Sequence, residues 1–386
     1  MSSIFSLVHA PLELPFRSAF AHASARRNLG ASIWVEVRRG SHTGLGEGCP
    51  RSYVTGETID GCRSWIDQHI AEITCTCADL AGLLRWSAAH EAEIDRAPSA
   101  WCAIECALLD LFAREDGVSV EVLLGLGDPR RTYAYTGVLG DESPERFTAL
   151  LEMHLAAGFS DYKVKLGGDL AADRAKLDLL HRRCTATGRT PRVRLDANNL
   201  WRERPLDAGP YLTELRAKFF AFEEPVAPGD VATLARLAVE LDRDVILDES
   251  VCRIADLEHY TEFSRPPIVN VKVSKAGGIM RAREIVRAAA GRGLGVVVGA
   301  HVGETSVLTR AGMLLAQAAG DALVGHEGGY GAHLLTHEPA APCLTLGRGG
   351  LIDLSHARAV RRPGQKRTAS GGAWSAGWGL TLAERL

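Results

Sequence analysis

From about residue 130 to residue 345 the chain repeats one pattern eight times: a short apolar run, a polar turn, then a stretch with helical spacing. The runs are TYAYTGVL, DYKVKL, RVRLDA, FFAFEEP, DVILDES, PIVNVKVS, LGVVVGAH and ALVGHEG. Strands that alternate with helices pair in parallel through crossover connections. Eight such units fit a closed parallel barrel better than an open sheet. Their carboxyl ends carry the polar residues, and barrel enzymes keep their active sites at that end.

The preceding part, residues 1–125, reads differently. Short strands are predicted over Ile33–Val37 and around Gly44–Glu47, with helical patterns from about Glu57 to Arg96. This describes a small α+β domain. The segment AWCAIECALLDLFAR, from Ala100 to Arg114, has apolar residues on almost every helical face, so that helix should be buried between two packed bodies. Residues 346–386 contain the glycine-rich GGAWSAGWG and are expected to fold back on the first domain, with Arg361 to Gly372 the most flexible stretch.

Three acids end successive runs: Asp196 in RLDAN, Glu223 in FEEP and Asp248 in LDES. Any one of them alone could be a helix N-cap or a surface loop residue. Carboxylates at neighbouring strand ends converge on one barrel mouth, however, and would repel unless a cation sat among them. A hard divalent ion such as magnesium takes oxygen ligands and leaves positions open for water or substrate.

Lys163 and Lys165 in DYKVKL are two apart, so both side chains point into the barrel. Each should lower the other's proton affinity, which prepares a lysine to act as a general base. Lys272 in NVKVSK would approach a central substrate from the opposite side, whereas Lys275 reads as a loop residue. Two bases on two faces are what inversion of a carbon centre requires.

The chain has a formal net charge of -3 with both signs interspersed, so nucleic acid and anionic membrane are not expected partners. The start lacks a basic n-region and a cleavage site, and no window has the length of a membrane span, so a soluble cytoplasmic protein is expected. Nine cysteines, the nearest pair spaced C-x-C, suggest neither a disulfide framework nor a zinc site.

The set K-x-K, D-x-N, E-E-P, D-E-S and N-x-K with a following Gly-Gly resembles, in order and spacing, the muconate-lactonizing subgroup of the enolase superfamily. GEGCPRSYVTGET near the start resembles the capping domain of the same enzymes, so the likeness covers nearly the whole chain. It implies a (β/α)7β-type TIM barrel with an N-terminal α+β capping domain completed by the C-terminal tail. It further implies that Asp196, Glu223 and Asp248 bind Mg2+, that Lys165 and Lys272 are the acid/base pair, and that Lys163 supports Lys165. A small-molecule carboxylate is the implied partner, and a homo-oligomer is expected. Loops at about Phe16–Arg27 and Cys49–Glu57 would close over the substrate, although Arg26, Arg27 and Arg51 read as solvated surface.

Asn198, Glu249, His301, Glu304, His326 and Glu327 are the candidates for substrate contacts or for support of the metal ligands. Dipeptide epimerases of the subgroup carry D-x-D at the eighth strand, where this chain has His326, Glu327 and Gly328. Glu327 could partly replace that contact to a substrate ammonium. His301 belongs to a seventh-strand end, GAHVGETS, that is one residue longer than in those relatives. It either faces the substrate or is hydrogen-bonded within the barrel mouth. The expected reaction is racemisation or epimerisation of an amino-acid derivative through an ene-diolate. Dehydration, o-succinylbenzoate-type elimination and cycloisomerisation on the same scaffold are the alternatives. A barrel that only binds a small acid should have lost an acid or a lysine, and none is lost. The glycines of GLGEG lack a G-x-G-x-x-G nucleotide fingerprint.

Overall fold

The computed structural model describes residues 4–22, 25–141, 143–261, 263–355 and 375–383, with the backbone alone over 18–22 and 25–27. Strands Ser6–His22, Ala25–Arg39 and His42–Gly48 form an antiparallel sheet in that order. The first is not predicted from the sequence, the second is much longer than the expected Ile33–Val37, and the expected loop from Phe16 to Arg27 is largely strand. Pro11 and Pro15 conceal the first strand in the sequence. It is an edge strand, both prolines sit at exposed positions, and an edge tolerates a missing N–H. Leu12 and Leu14 face inward between them, and Phe16 continues the alternation.

The strand His42–Gly48 packs on the helix Pro98–Glu115 through glycines. A Cβ on Gly44, Gly46 or Gly48 would lie 2.0, 1.9 and 1.9 Å from the carbonyl oxygens of Ala107, Ala103 and Ser99. Strand positions two apart thus meet helix positions four apart, with backbone against backbone. The glycines of GLGEG have a packing role. Every residue of the helix from Pro98 to Ala113 is buried, as its all-round apolar pattern predicts.

Eight parallel strands follow in sequential order: Gly137–Leu139, Asp161–Lys165, Arg192–Asp196, Ala221–Glu223, Asp244–Leu247, Ile268–Val271, Gly295–Val298 and Leu323–His326. Six α-helical crossovers and one 3₁₀ crossover, Ile254–Tyr260, connect them. The Thr136 N–H donates to the His326 carbonyl at 2.7 Å, joining the first strand to the last. The fold is the expected TIM barrel with its N-terminal α+β domain. The predicted run TYAYTGVL divides in two: Thr132–Ala134 pairs antiparallel with Leu351–Asp353, and only Gly137–Leu139 enters the barrel.

Inside the barrel, Ala221, Ile246, Ile268 and Val297 form a small apolar cluster of their own. One strand repeat further along stand Glu223, Asp248, Asn270 and Gly299, so the apolar layer floors a polar one. The tail contacts the first domain through Trp378, whose backbone N–H donates to Asp110 and whose indole donates to the Leu45 carbonyl at 3.1 Å. Arg361 to Gly372, expected to be flexible, lies outside the described residues.

Candidate active site

Backbone register places the chemistry. Lys165 pairs with Asp196 and Asp196 with Glu223 across the second, third and fourth strands, so the three side chains stand in one row at the barrel mouth. Asp248 follows the fifth strand. Its backbone N–H donates to Glu224 at 2.8 Å, as does that of Ser250. Glu224, with φ of 37°, turns away from the mouth and ties the fourth strand end to the fifth.

The acids and lysines form one buried ionic lattice. Lys163 Nζ lies 3.0 Å from Asp196, 2.8 Å from Glu223 and 3.1 Å from Glu327. Lys165 Nζ donates to the same Asp196 oxygen at 2.9 Å and to Asn198 at 2.7 Å, so Lys163 and Lys165 share one acceptor. Lys272 Nζ is 2.5 Å from Asp248. Lys275 proves to be buried rather than a loop residue. It donates to the other Asp248 oxygen at 2.9 Å and to the Asn270 carbonyl at 2.9 Å.

Lowered lysine proton affinity does not appear for Lys163 or Lys272. Burial pulls both down, but Asp196 and Glu223 hold Lys163, and Asp248 holds Lys272, well above the usual lysine value. Mutual repulsion of two lysines is outweighed by carboxylates at hydrogen-bonding distance. Burial raises Glu223 to about 8, while Lys163 opposes that shift and neighbouring acids add to it.

As placed, among the described residues, no three His, Cys, Asp or Glu side chains stand close enough together to hold a metal ion. Lysine ammonium groups lie between the acids. The donor set nevertheless fits a hard cation. All three candidate ligands offer carboxylate oxygens at one mouth, and the buried Glu223 Oε2 has no hydrogen-bond partner among the described residues. An unpaired buried oxygen is costly unless something else meets it.

Asp196, Asp248, Lys163, Lys165 and Lys272, though not Glu223 or Lys275, line a cavity of about 550 Å³. Lys163, Lys165, Asp196, Asn198, Asp248, Glu249, Lys272 and Glu327 form its polar floor, and Val54, Leu150, Met153 and Leu334 belong to its apolar wall. Tyr53 and Val54 bring the predicted Cys49–Glu57 loop to the cavity, as expected of a closing loop. The side chains of Arg26 and Arg27 lie outside the described residues.

Arg51 is not solvated surface. It is 1% exposed and donates to the carbonyls of Ala31 at 3.0 Å and Val302 at 2.6 Å, bolting the first domain to the seventh-strand loop. Glu47 does the same nearby, accepting from Thr305 N and Oγ1, Leu308 N and Ser32 Oγ.

Of the further candidates, His301 and Glu304 line the cavity, and the His301 backbone N–H donates to Glu304 at 2.7 Å. Burial raises Glu304 to about 8. His326 does not reach the cavity. Strand alternation turns it outward, where its ring stacks on Tyr135 with centroids 4.0 Å apart, and burial lowers it to about 3. Glu327 faces inward, but both its oxygens already have cations: Lys163 on one, Arg194 at 2.9 and 3.2 Å on the other. A replacement grip on a substrate ammonium is therefore not on offer from an unpaired Glu327. Arg194 escaped the sequence reading, although its place two residues before Asp196 in RVRLD puts it on the same inward face.

The enolase C-terminal domain-like family model matches residues 146–352. The chain is 32% identical over 297 residues to the L-Lys-D/L-Arg epimerase of Methylococcus capsulatus, covering 75% of this chain and 79% of that protein. It is 28% identical over 303 residues to the L-Ala-D/L-Glu epimerase of Bacillus subtilis, covering 77% and 79%. The crystal structure of the Methylococcus capsulatus dipeptide epimerase with Mg and L-Arg-D-Lys superposes with a TM-score of 0.80 at 26% identity. That match covers 98% of this chain and 99% of the other.

Proposed function

The chain belongs to the mandelate racemase/muconate lactonizing family of the enolase superfamily and is an isomerase, and on that premise we propose that it epimerises an amino-acid derivative at its α-carbon with Mg2+ bound. The observation that carries the reading is the placement of Lys165 and Lys272. Lys165 ends the second strand and Lys272 directly follows the sixth strand of an eight-stranded barrel, four strands apart, and both line the same cavity.

A substrate held between them presents one face of its α-carbon to each ammonium. Asp196, Glu223 and Asp248 would hold magnesium, which when bound would neutralise the substrate carboxylate and the charge that grows on it after deprotonation. Lys165 takes the α-proton from one face in its neutral form. Lys272 returns a proton to the other face, and the roles exchange for the opposite isomer. Lys163 and Asn198 hold Lys165 and Asp196 in place by the bonds described above. Lys275 keeps Asp248 oriented beneath Lys272.

The test is incubation of N-acyl amino acids and dipeptides with enzyme and magnesium in deuterated water, followed by NMR and polarimetry. Deuterium entering the α-position with loss of optical purity supports the reading. Conversion with loss of a leaving group and no inversion replaces it by elimination on the same scaffold.

A further inference from the structure

His301 lines the cavity beside Lys272, is 6% exposed, and has an Nε2 atom that is closed off from solvent and bonded to nothing among the described residues. Its main chain is held firmly. The His301 N–H donates to Glu304, the Glu304 N–H returns a bond to the His301 carbonyl at 3.3 Å, and Arg51 grips the next carbonyl, that of Val302. Gly303, with φ of 91°, packs so closely on the first domain that a Cβ there would lie 2.8 Å from Gly30. The loop carrying the imidazole is thus fixed from both domains. A buried ring nitrogen left unpaired by such a rigid surround is costly unless a ligand completes it.

We propose that His301 is a specificity-determining residue whose Nε2–H donates to the carbonyl oxygen of an acyl or peptidyl group on the substrate nitrogen. The inference rests on the epimerase reading and names the feature that reading leaves open. The charges around the ring select an oxygen rather than an ammonium. Lys272, Arg51 and Lys275 all act on it, with Asp248 the opposing acid, and together with burial they keep the imidazole neutral. A substrate cation placed there would meet two lysines and an arginine, whereas a carbonyl dipole would be stabilised. The lysines on the cavity floor are committed: Lys163 to three acids, Lys165 to Asp196 and Asn198, Lys272 to Asp248. The neighbouring wall, with Val302, is apolar, which strengthens a neutral hydrogen bond.

The experiment compares N-acetyl-L-leucine with N-methyl-L-leucine, which keeps the carboxylate and α-carbon and lacks the carbonyl. The parent enzyme, His301→Ala and His301→Gln are each loaded with magnesium. Two readouts are taken: α-deuterium exchange, and the histidine ring nitrogen resonances of 15N-labelled protein. In the parent, the acetyl compound should shift the His301 Nε2 resonance and exchange about 10-fold or more faster, in kcat/KM, than the methyl compound. His301→Ala should erase that preference by slowing the acetyl compound alone, and His301→Gln, which retains an N–H donor, should restore part of it. A preference unchanged in His301→Ala, or equal slowing of both compounds, overturns the inference and leaves the epimerase reading intact. An Nε2 resonance unmoved by the acetyl compound also overturns it. A shifted resonance without exchange of either compound upholds the contact and counts against the proposed reaction.

Discussion

Lys163 Nζ lies 2.8 Å from Glu223 Oε1 while the buried Glu223 Oε2 has no partner among the described residues, so the acid at the centre of the mouth is only half satisfied. Lys163 is the shared counter-charge of Asp196, Glu223 and Glu327. Lys163→Met would leave Glu223 without its cation, while Asp196 keeps Lys165 and Glu327 keeps Arg194; removing one partner of a buried ion pair costs about 3–5 kcal/mol. Thermal melts with and without magnesium should show a lowered Tm for the variant, and a larger rise on adding magnesium than in the parent. A variant that ignores magnesium would contradict this account of the acids.

Metal dependence has its own test. Exhaustive chelation should abolish activity and magnesium should restore it. Glu223→Gln should still melt cooperatively, yet lose the Tm increase that magnesium gives the parent through binding to the folded state. Unchanged activity after chelation would remove Asp196, Glu223 and Asp248 from their assigned role.

The packing of the strand His42–Gly48 on the helix Pro98–Glu115 predicts a stability defect from one methyl group. In Gly46→Ala the new Cβ would fall 1.9 Å from the Ala103 carbonyl, which is backbone and cannot step aside. Chemical denaturation should show a loss of about 1–3 kcal/mol or more. A near-neutral substitution would mean that strand and helix are further apart than described.

Glu105 carries a pH dependence. Its carboxylate caps the helix Ile279–Gly291, accepting from Met280 N at 3.1 Å, and lies where Gly278 leaves room for it. Burial pushes it up to about 7 from an ordinary 4.5. Below pH 4.5 folded and unfolded chains are both protonated here, so the contribution is fully present. As pH rises from 4.5 to about 7 the unfolded chain ionises first, and about 3 kcal/mol of stability is lost. Glu105→Gln should therefore gain stability relative to the parent across that window, measured by denaturation at a series of pH values. A difference that stays flat would show that Glu105 ionises alike in both states.

The barrel was legible because each strand is an apolar run broken by polar residues at one end, and the ionic floor because K-x-K, D-x-N, E-E-P and D-E-S keep their spacing. Residues whose role depends on what lies across the fold were not legible. Arg51 and Glu47 look like any charged loop or strand residue until the seventh-strand loop is brought against them. Lys275 needed the turn of the helix Val273–Ala276 to reach back to Asp248. His326 was misplaced because the facing of a strand's last residue depends on register, and one position separates the cavity from the outer layer.

The most direct test of the central claim is α-hydrogen exchange in deuterated water by Lys165→Ala and Lys272→Ala, each with both stereoisomers of one substrate. Loss of a general base should cost about 100- to 10,000-fold in rate. Lys165→Ala should abolish exchange with one isomer and Lys272→Ala with the other. If both variants lose exchange with the same isomer and keep it with its mirror partner, the two lysines do not act on opposite faces.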